Sequence, residues 1–367
     1  MARLRACNLP KDCPLGLQSK EQTCELLLLG EYLTMRRLFS LFVFCSLVLN
    51  LDAVTDPKLL LIEQKLQGFS DRQYSFAVDR VLEEFEKQTG VGLKPGKLGK
   101  CGLKISSQSG LGLATPKSLI RALSQALEKR GFNRNSIILC DANVQSLREC
   151  GFLPALRTDP QTFEGLPVIA FEAEAANWAK DKKLCYENQV MPRPGSPTVA
   201  WGDNRISVLP KTLFDEVDFW INLPVISDSK TLGVFGALGS ASLGSIANSE
   251  RFNDNPANAS KVVIEVCAIP EISNKNILNI VSLENYQVLG GPSFDASWCK
   301  SEKTLLASAN PVILDYIGLQ KINGGRTERN VEPIRPEPAI FSAANSGEIK
   351  LGTCRPADIT LIKLKAE

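Results

Sequence analysis

Downstream of residue 55, the first stretch of apolar residues has the spacing of a helix. Ser70 and Gln73 stand in the order of a capping box, which marks a helix N-terminus. Apolar side chains recur every three or four positions between Phe76 and Phe85, and Gly90 follows where helices commonly end. The pattern predicts one amphipathic helix between Ser70 and Gly90.

The next stretch has the pattern of a strand, a loop, a helix and a second strand. Cys101–Ile105 predicts a buried strand, and a run of Ser and Gly follows it. Thr115 is a suitable N-cap, with Pro116 at the first helical position. Another strand is expected at Ile137–Cys140. A parallel pair joined by a right-handed crossover is therefore predicted.

Further apolar runs bounded by turn residues extend this alternation toward the C-terminus. They predict strands at Leu166–Phe171, Val217–Leu223, Val262–Ala268, Ile277–Leu283 and Ile359–Leu364. Residues 186–205 are rich in Pro, Gly and Asn and predict an irregular excursion. The fold class expected from this order is α/β, a mixed, mostly parallel sheet with helices on both faces. Ligands of such sheets bind outside the carboxyl ends of the strands.

The N-terminal region contains the pattern of a signal peptide at residues 35–53. Arg36 and Arg37 precede an apolar segment, Leu38–Leu49, and Ala53 is a small residue before a cleavage point. The apolar segment is shorter than the ~20 residues of a membrane span. We therefore expect export to the periplasm or the exterior of a bacterium, with no membrane span in the mature chain.

Residues 1–34 have neither an apolar period nor a signal pattern. Two interpretations stay open: the true start is Met35, or residues 1–34 form a disordered extension. The remaining chain, 55–367, is expected to form a single α/β domain. Its oligomeric state does not follow from the sequence.

The charge balance and the absence of histidine restrict the chemistry. There are 42 basic and 40 acidic residues, so the chain has no positive excess for binding nucleic acid, and a small-molecule ligand is favoured. With no histidine, Ser-His-Asp and Cys-His nucleophiles and histidine-ligated zinc are excluded. Proton transfer would need Asp, Glu, Lys, Tyr or Cys.

Seven cysteines follow residue 54, and none of them forms a C-x-x-C pair. An iron–sulfur cluster is therefore disfavoured, since its ligands come in close pairs. The pairing of these cysteines in disulfides stays open, no metal site is predicted, and the cofactor is unknown.

The first loop after a predicted parallel strand supplies most of the candidate ligand-binding residues. Small side chains let a ligand approach the backbone, and the start of the next helix offers free N–H groups to an anion. We predict that the loop forms a wall of the crevice and that an anion lies against the helix start. An ordinary tight turn is the alternative. The candidates are Lys104, Ser106, Ser107, Gly110, Gly112 and Thr115.

Later candidates stand at the ends of other predicted elements. Asp141 ends a strand, and it either faces a ligand or caps the helix that follows. Asp228 and Lys230 could form a general acid/base pair, or they are solvated charges of a polar loop. Asn222, Asn310 and Asp315 complete the candidate set.

Three segments resemble a known family. They are residues 102–141, beginning GLKISSQSG; 217–240, containing FWINLP; and 305–323, containing ANPVILD. Together they are similar to domain-of-unknown-function family 362, in which some members are labelled iron–sulfur proteins. This chain lacks the ferredoxin cysteines of those members. It has Ser227 and Ser229 where Lys and His commonly follow the N-L-P motif, and Asn310 replaces the Asp of D-P-V.

Two classes of function are consistent with the sequence. One is a binding protein for a small anionic ligand held at the carboxyl ends of the strands. The other is a small-molecule enzyme that uses Asp, Lys or a bound cation, with activity that could be degenerate. Convergence of Lys104, Asp141, Asp228 and Lys230 around one pocket would favour an enzyme or an anion site.

Overall fold

The computed structural model describes residues 54–180, 185–192, 204–253, 255–345 and 349–367. The predicted signal peptide and residues 1–34 lie outside the described residues, as does part of the predicted excursion at 186–205. Thr55–Glu367 forms one compact unit.

The described strands are short, as expected for runs bounded by turn residues. In chain order they are β1 Leu60–Lys65, β2 Cys101–Ile105, β3 Ile137–Asp141, β4 Thr162–Phe163, β5 Leu166–Ala170, β6 Cys185–Glu187, β7 Ile206–Val208, β8 Phe219–Leu223, β9 Ser227–Ser229, β10 Gly233–Phe235, β11 Asn276–Ser282, β12 Tyr286–Gln287, β13 Cys299–Lys300, β14 Thr304–Ser308 and β15 Thr360–Leu364.

The described α-helices alternate with these strands along most of the chain. They are α1 Asp71–Thr89, α2 Lys117–Lys129, α3 Val144–Glu149, α4 Lys211–Phe214, α5 Ala237–Ala241, α6 Pro256–Cys267, α7 Pro270–Ser273, α8 Pro311–Glu328 and α9 Ala339–Asn345.

The main sheet has nine strands in the order β15-β1-β14-β11-β8-β2-β3-β5-β4. Five neighbouring pairs are parallel and three are antiparallel. The mixed, mostly parallel sheet predicted from the sequence is confirmed. A second sheet has the order β10-β9-β12-β13 and begins shortly after β8 leaves the main sheet.

Helices cover both faces of the main sheet because successive strand residues point to opposite sides. In β2, Leu103 and Ile105 belong to the core that also contains residues of α1 and α2. In β3 and β8, Cys140 and Trp220 belong to the opposite core, with residues of α6, α8 and α9. The two-sided cover expected from the sequence is confirmed.

Local signals predicted the first helix well. The Ser70 hydroxyl accepts a hydrogen bond from the Gln73 N–H, and Gly90 adopts the left-handed conformation at φ 67°. Glycine adopts this conformation without the penalty of a Cβ. Both ends of α1 thus lie where the sequence places them.

The predicted strand at Val262–Ala268 is wrong, because residues 262–267 belong to α6 and Ala268 is its C-cap. Asn255 caps this helix by accepting a hydrogen bond from the Asn258 N–H, and Pro256 occupies the first helical position. A helix buried on several sides has a nearly continuous apolar run, and its period alone does not distinguish it from a strand.

Within the described residues, no helix is both long enough and apolar enough to cross a membrane.

Candidate functional site

A cavity of about 560 Å³ lies at the carboxyl ends of the parallel strands β2, β3, β5 and β8. This is the edge where ligands of such sheets bind, and the volume is within the usual range of small-molecule sites. Four of the residues predicted from the sequence line it: Lys104, Ser106, Asp141 and Lys230.

A buried ion pair between neighbouring strands forms part of the cavity wall. The Nζ of Lys104 lies 2.7 Å from Oδ1 of Asp141, and the two side chains are 2% and 1% exposed. Because β2 and β3 pair in parallel with Lys104 opposite Cys140, the strand ends bring Lys104 and Asp141 together. Lys104 also donates to the carbonyl of Ile105 at 3.1 Å.

The Asp141 carboxylate accepts hydrogen bonds from four donors. Oδ1 accepts from Lys104 Nζ and from the Ala142 N–H, at 2.7 and 2.9 Å. Oδ2 accepts from the N–H and the hydroxyl of Ser107, at 2.8 and 2.7 Å. Ser107 thus holds the ion pair in place instead of lining the cavity. The alternative role of Asp141 as a helix cap is wrong, because Asn143 accepts from the Ser146 N–H and caps α3.

The loop after β2 lines the cavity through its first residues only. Ser106, Gln108 and Ser109 line it, whereas no residue from Gly110 to Lys117 does. Gly110 has φ 91°, a conformation that favours glycine. At Gly112 an added Cβ would lie 2.2 Å from the Phe294 ring, so this glycine permits close packing.

The predicted capping role of Thr115 is wrong. Helix α2 begins at Lys117, with Pro116 at the N-cap position. The Thr115 hydroxyl instead accepts from the Ser106 N–H at 2.8 Å and donates to the carbonyl of Leu223 at 2.7 Å. These two bonds connect the ends of β2 and β8 and give the last backbone groups of both strands a hydrogen-bond partner.

Asp228 and Lys230 do not form the suggested acid/base pair. Asp228 is buried and lies 3.1 Å from Nη2 of Arg326. Its carboxylate also accepts from the N–H groups of Gly290 and Gly291, at 3.2 and 2.7 Å. Asp228 therefore fixes a loop, while exposed Lys230 lies at the cavity rim.

Asn222 and Asn310 do not line the cavity. The Asn222 amide donates to the carbonyl of Ala237 and accepts from the hydroxyl of Ser240, which lines the cavity. Asn310 caps α8 by accepting from the Val312 N–H at 2.9 Å.

Asp315 is fully buried and accepts from the N–H groups of Ala237 and Leu238 at the start of α5. Burial raises the pKa of Asp315 to about 7, although these two hydrogen bonds act in the opposite direction. An added Cβ at Gly236 would lie 2.3 Å from Asp315 Oδ1, so this glycine allows the carboxylate to approach the backbone.

Several lining residues were not among the individual candidates, and most of them come from distant segments. They include Gln108, Ser109, Asn143, Glu172, Ser240, Gly244, Glu250 and Pro292. Only Gln108 and Ser109 carried a signal, since they lie in the predicted loop. The others follow from the three-dimensional arrangement alone.

Two cysteines lie close to the Lys104–Asp141 pair: Cys140 precedes Asp141, and the Cys150 thiol donates to the carbonyl of Ser107. Burial raises the pKa of Cys150 to about 11 and also raises the pKa of Cys140, so both thiols stay protonated near neutral pH. Among the residues that the structure describes, no group of three or more His, Cys, Asp or Glu side chains is arranged to hold a metal ion.

Comparisons with known proteins found distant similarity to solved structures. No family model matches this chain, and no curated protein does. One of the solved structures is the crystal structure of a protein from Thermotoga maritima. The alignment covers 72% of this chain and 61% of the Thermotoga protein, at 11% identity and a TM-score of 0.38. Another is the lactate racemase apoprotein of Thermoanaerobacterium thermosaccharolyticum. That alignment covers 70% of this chain and 56% of the racemase, at 10% identity and a TM-score of 0.31.

The chain spans 61% and 56% of the lengths of these two proteins. Likenesses this distant do not assign an activity. Fold and cavity define an α/β protein with a ligand-sized cavity at the carboxyl edge of its sheet. Its similarity to family 362 stays a prediction.

Proposed function

We propose that this protein binds a small anionic molecule, with one ligand oxygen accepting a hydrogen bond from Lys104 Nζ. The observation that supports this most is the buried ammonium of Lys104 in the wall of the cavity. An ammonium has three N–H donors. Lys104 uses two of them, toward Asp141 and Ile105. The third is available to a ligand oxygen.

The charge of Lys104 is only partly compensated by Asp141. The carboxylate is also stabilised by Ser107 and by the Ala142 N–H, so it does not depend on the lysine alone. An ammonium shared between an internal carboxylate and a ligand carboxylate or phosphate is therefore chemically reasonable. In a buried wall this hydrogen bond would be stronger than at the surface.

The charged side chains at the cavity rim contribute less to ligand affinity than Lys104 does. Lys230, Glu172 and Glu250 all line the cavity and are all exposed. Solvent and salt screen such groups, so they affect the approach of a ligand more than its final affinity. Their net negative sign favours a ligand with one or two charges over a polyanion.

The same geometry favours binding over proton transfer. To act as a general base, Asp141 would have to release one of its four donors. Lys104 donates a hydrogen bond to that carboxylate, and the bond holds both side chains in the cavity wall. The pair is thus suited to holding a ligand.

A titration with simple anions tests the proposal. Acetate, succinate and inorganic phosphate are titrated into the protein by calorimetry, with acetamide as the uncharged match for acetate. We expect saturable binding of at least one anion and at least tenfold weaker binding to Lys104→Met. Lys129→Met is the control, since Lys129 is exposed, pairs with Asp79 and does not line the cavity. Absence of saturable binding, or equal affinity of both variants, would refute the proposal.

We also propose that the protein is exported after cleavage near Ala53. The support is the basic and apolar pattern of residues 35–53. N-terminal sequencing of the protein from its host is expected to start near Val54. A cytoplasmic chain that begins at Met1 would contradict it.

A further inference from the structure

A second cavity, of about 470 Å³, lies along one edge of the main sheet. Its floor includes Val168 and Ala170 of β5. Strand β5 pairs with β3 over Val168–Ala170, but β4 covers its other side only at Leu166 and Pro167. Beyond those two residues, no described strand pairs with the outer edge of β5.

The backbone groups on this edge are in part already used. Val168 donates its N–H to the carbonyl of Gln161 at 3.0 Å, which shows that Val168 faces outward. Backbone N–H and C=O groups of residues two apart in a strand point to the same side, so those of Ala170 also point away from β3. The Ala170 carbonyl accepts from the Asn177 side chain at 2.9 Å. The carbonyl of Val168 and the N–H of Ala170 have no partner among the described residues.

These two groups flank Ile169 in the way that a parallel strand requires. In parallel pairing, one residue of the added strand makes two hydrogen bonds to the existing strand. Its N–H donates to the carbonyl of one residue, and its carbonyl accepts from the N–H two residues later. A single residue of an extended peptide would therefore satisfy Val168 and Ala170 together. Antiparallel addition is disfavoured because the Val168 N–H is already bonded to Gln161.

Two guanidinium groups add a preference for charge. Arg148 and Arg157 line this cavity, and within the described part of the chain neither has a carboxylate within ion-pair distance. The Nε of Arg148 is buried without a hydrogen-bond partner. Guanidinium groups match carboxylates in geometry. Glu172 and Glu174 line the same cavity, which disfavours a segment with several acidic residues.

We propose that this groove, defined by Val168–Ala170, Arg148 and Arg157, binds an extended peptide that carries one acidic side chain. The peptide adds to β5 as a short parallel strand, and its carboxylate contacts the two arginines. Main-chain hydrogen bonds supply affinity in this mode of recognition, and side-chain contacts supply specificity. The inference is independent of the ligand proposed for the first cavity.

Selection from a random heptapeptide library displayed on phage tests this inference. The compact unit Thr55–Glu367 is used as the target, and the Arg148→Gln/Arg157→Gln double variant is used for counter-selection. We expect enriched sequences with one Asp or Glu among β-branched residues. Synthetic copies should bind the double variant at least tenfold more weakly. Arg157→Gln alone, at an exposed position, is the second variant and should weaken binding several-fold without altering the unfolding midpoint.

N-methylation separates strand addition from simple charge attraction. Methylating the peptide nitrogen that donates to Val168 should abolish binding, whereas methylating the next nitrogen should change affinity less than threefold. The proposal is overturned if no sequence is enriched, if enriched peptides bind both arginine variants as tightly as the wild type, or if no single N-methylation abolishes binding.

Discussion

Two ion pairs in this molecule have little contact with solvent and lie in different surroundings: the side chains of Lys104 and Asp141 are 2% and 1% exposed, and those of Arg326 and Asp228 are 13% and 6% exposed. Lys104 and Asp141 lie in the wall of the larger cavity, where the ammonium retains one unused donor. Asp228 and Arg326 lie outside that wall. Arg326 also donates to the carbonyls of Val288 and Glu332. Burial and pairing therefore do not identify a site by themselves. The proposed site differs from the second pair in that its ammonium has an unused donor beside a cavity.

The largest effect on stability is expected for Asp228→Ala. The substitution leaves Arg326 and the N–H groups of Gly290 and Gly291 without their common acceptor. Breaking a buried pair in this way costs about 3–5 kcal/mol. Urea unfolding measures that loss. Anion affinity of the folded variant should stay within threefold of the wild type, and a tenfold loss would mean that this pair belongs to the site after all.

Lys104→Met should have a smaller effect on stability and a larger effect on binding. Asp141 keeps three of its four hydrogen-bond donors in this variant, so we expect a loss of about 3 kcal/mol, at the low end for a broken buried pair. Urea unfolding and calorimetry on the same sample separate the two effects. A variant that loses stability but binds anions normally would reduce Lys104 to a structural role.

Asp315 offers a third buried acid, one that has hydrogen bonds but no basic partner. Its pKa is raised by burial from 3.8 to about 7. Between pH 4 and 7 the unfolded chain releases this proton while the folded chain retains it, so the contribution of Asp315 to stability falls as pH rises through this window. Above pH 7 the full loss of unfolding free energy caused by the raised Asp315 pKa is present.

Asp315→Asn isolates that contribution from those of other carboxylates. The free energy of unfolding of the variant should rise relative to wild type between pH 4 and pH 8, by an amount that levels off above pH 7. Urea titrations at four pH values measure the difference. A difference that is constant with pH would show that the Asp315 pKa is the same in the folded and unfolded chains.

Gly244→Ala is expected to have the smallest effect on stability and still to affect the site. Its added Cβ would lie 3.5 Å from Lys104 Nζ, which is ordinary contact. We expect the unfolding free energy to change by less than about 0.5 kcal/mol. Crowding of the ammonium should weaken anion binding several-fold in calorimetry.

Gly324→Ala is the matched control for Gly244→Ala. Gly324 lies in α8, and an added Cβ there meets nothing within 4 Å. Replacing a helical glycine by alanine should stabilise the protein by about 0.5–1 kcal/mol. Affinity should be unchanged, and equal weakening in both glycine variants would show that the effect is not local to the cavity.

The sequence predicts the parts of this molecule that depend on local signals. The ends of α1 follow from Ser70 and Gly90, and the strands on either side of α2 follow from short apolar runs. Helix α6 was missed because its buried residues form a nearly continuous apolar run. Its cap, Asn255 followed by Pro256, was the local signal that could have corrected the assignment.

The candidate site was predictable only where sequence position and strand direction suffice. Lys104 is the penultimate residue of β2 and Asp141 is the last residue of β3, and these strands are parallel neighbours. The sequence therefore places both side chains at the edge where ligands bind. The partner of Asp228 is 98 positions away, at Arg326. A contact of that kind depends on how helices pack against the second sheet, and local pattern does not encode it. For the same reason Glu172 and Gly244 could not be assigned to the cavity.

The most direct test of the central claim is the NMR spectrum of lysine side chains labelled with ¹³C at Cε, recorded during titration with acetate, succinate or phosphate. The Lys104 signal is assigned by its loss in Lys104→Met. We predict that this signal shifts to saturation with at least one of the three anions, while the signal of Lys129 stays fixed. Shifts confined to exposed lysines, with the Lys104 signal unchanged at every concentration, would contradict the proposal that the ligand binds at this ammonium.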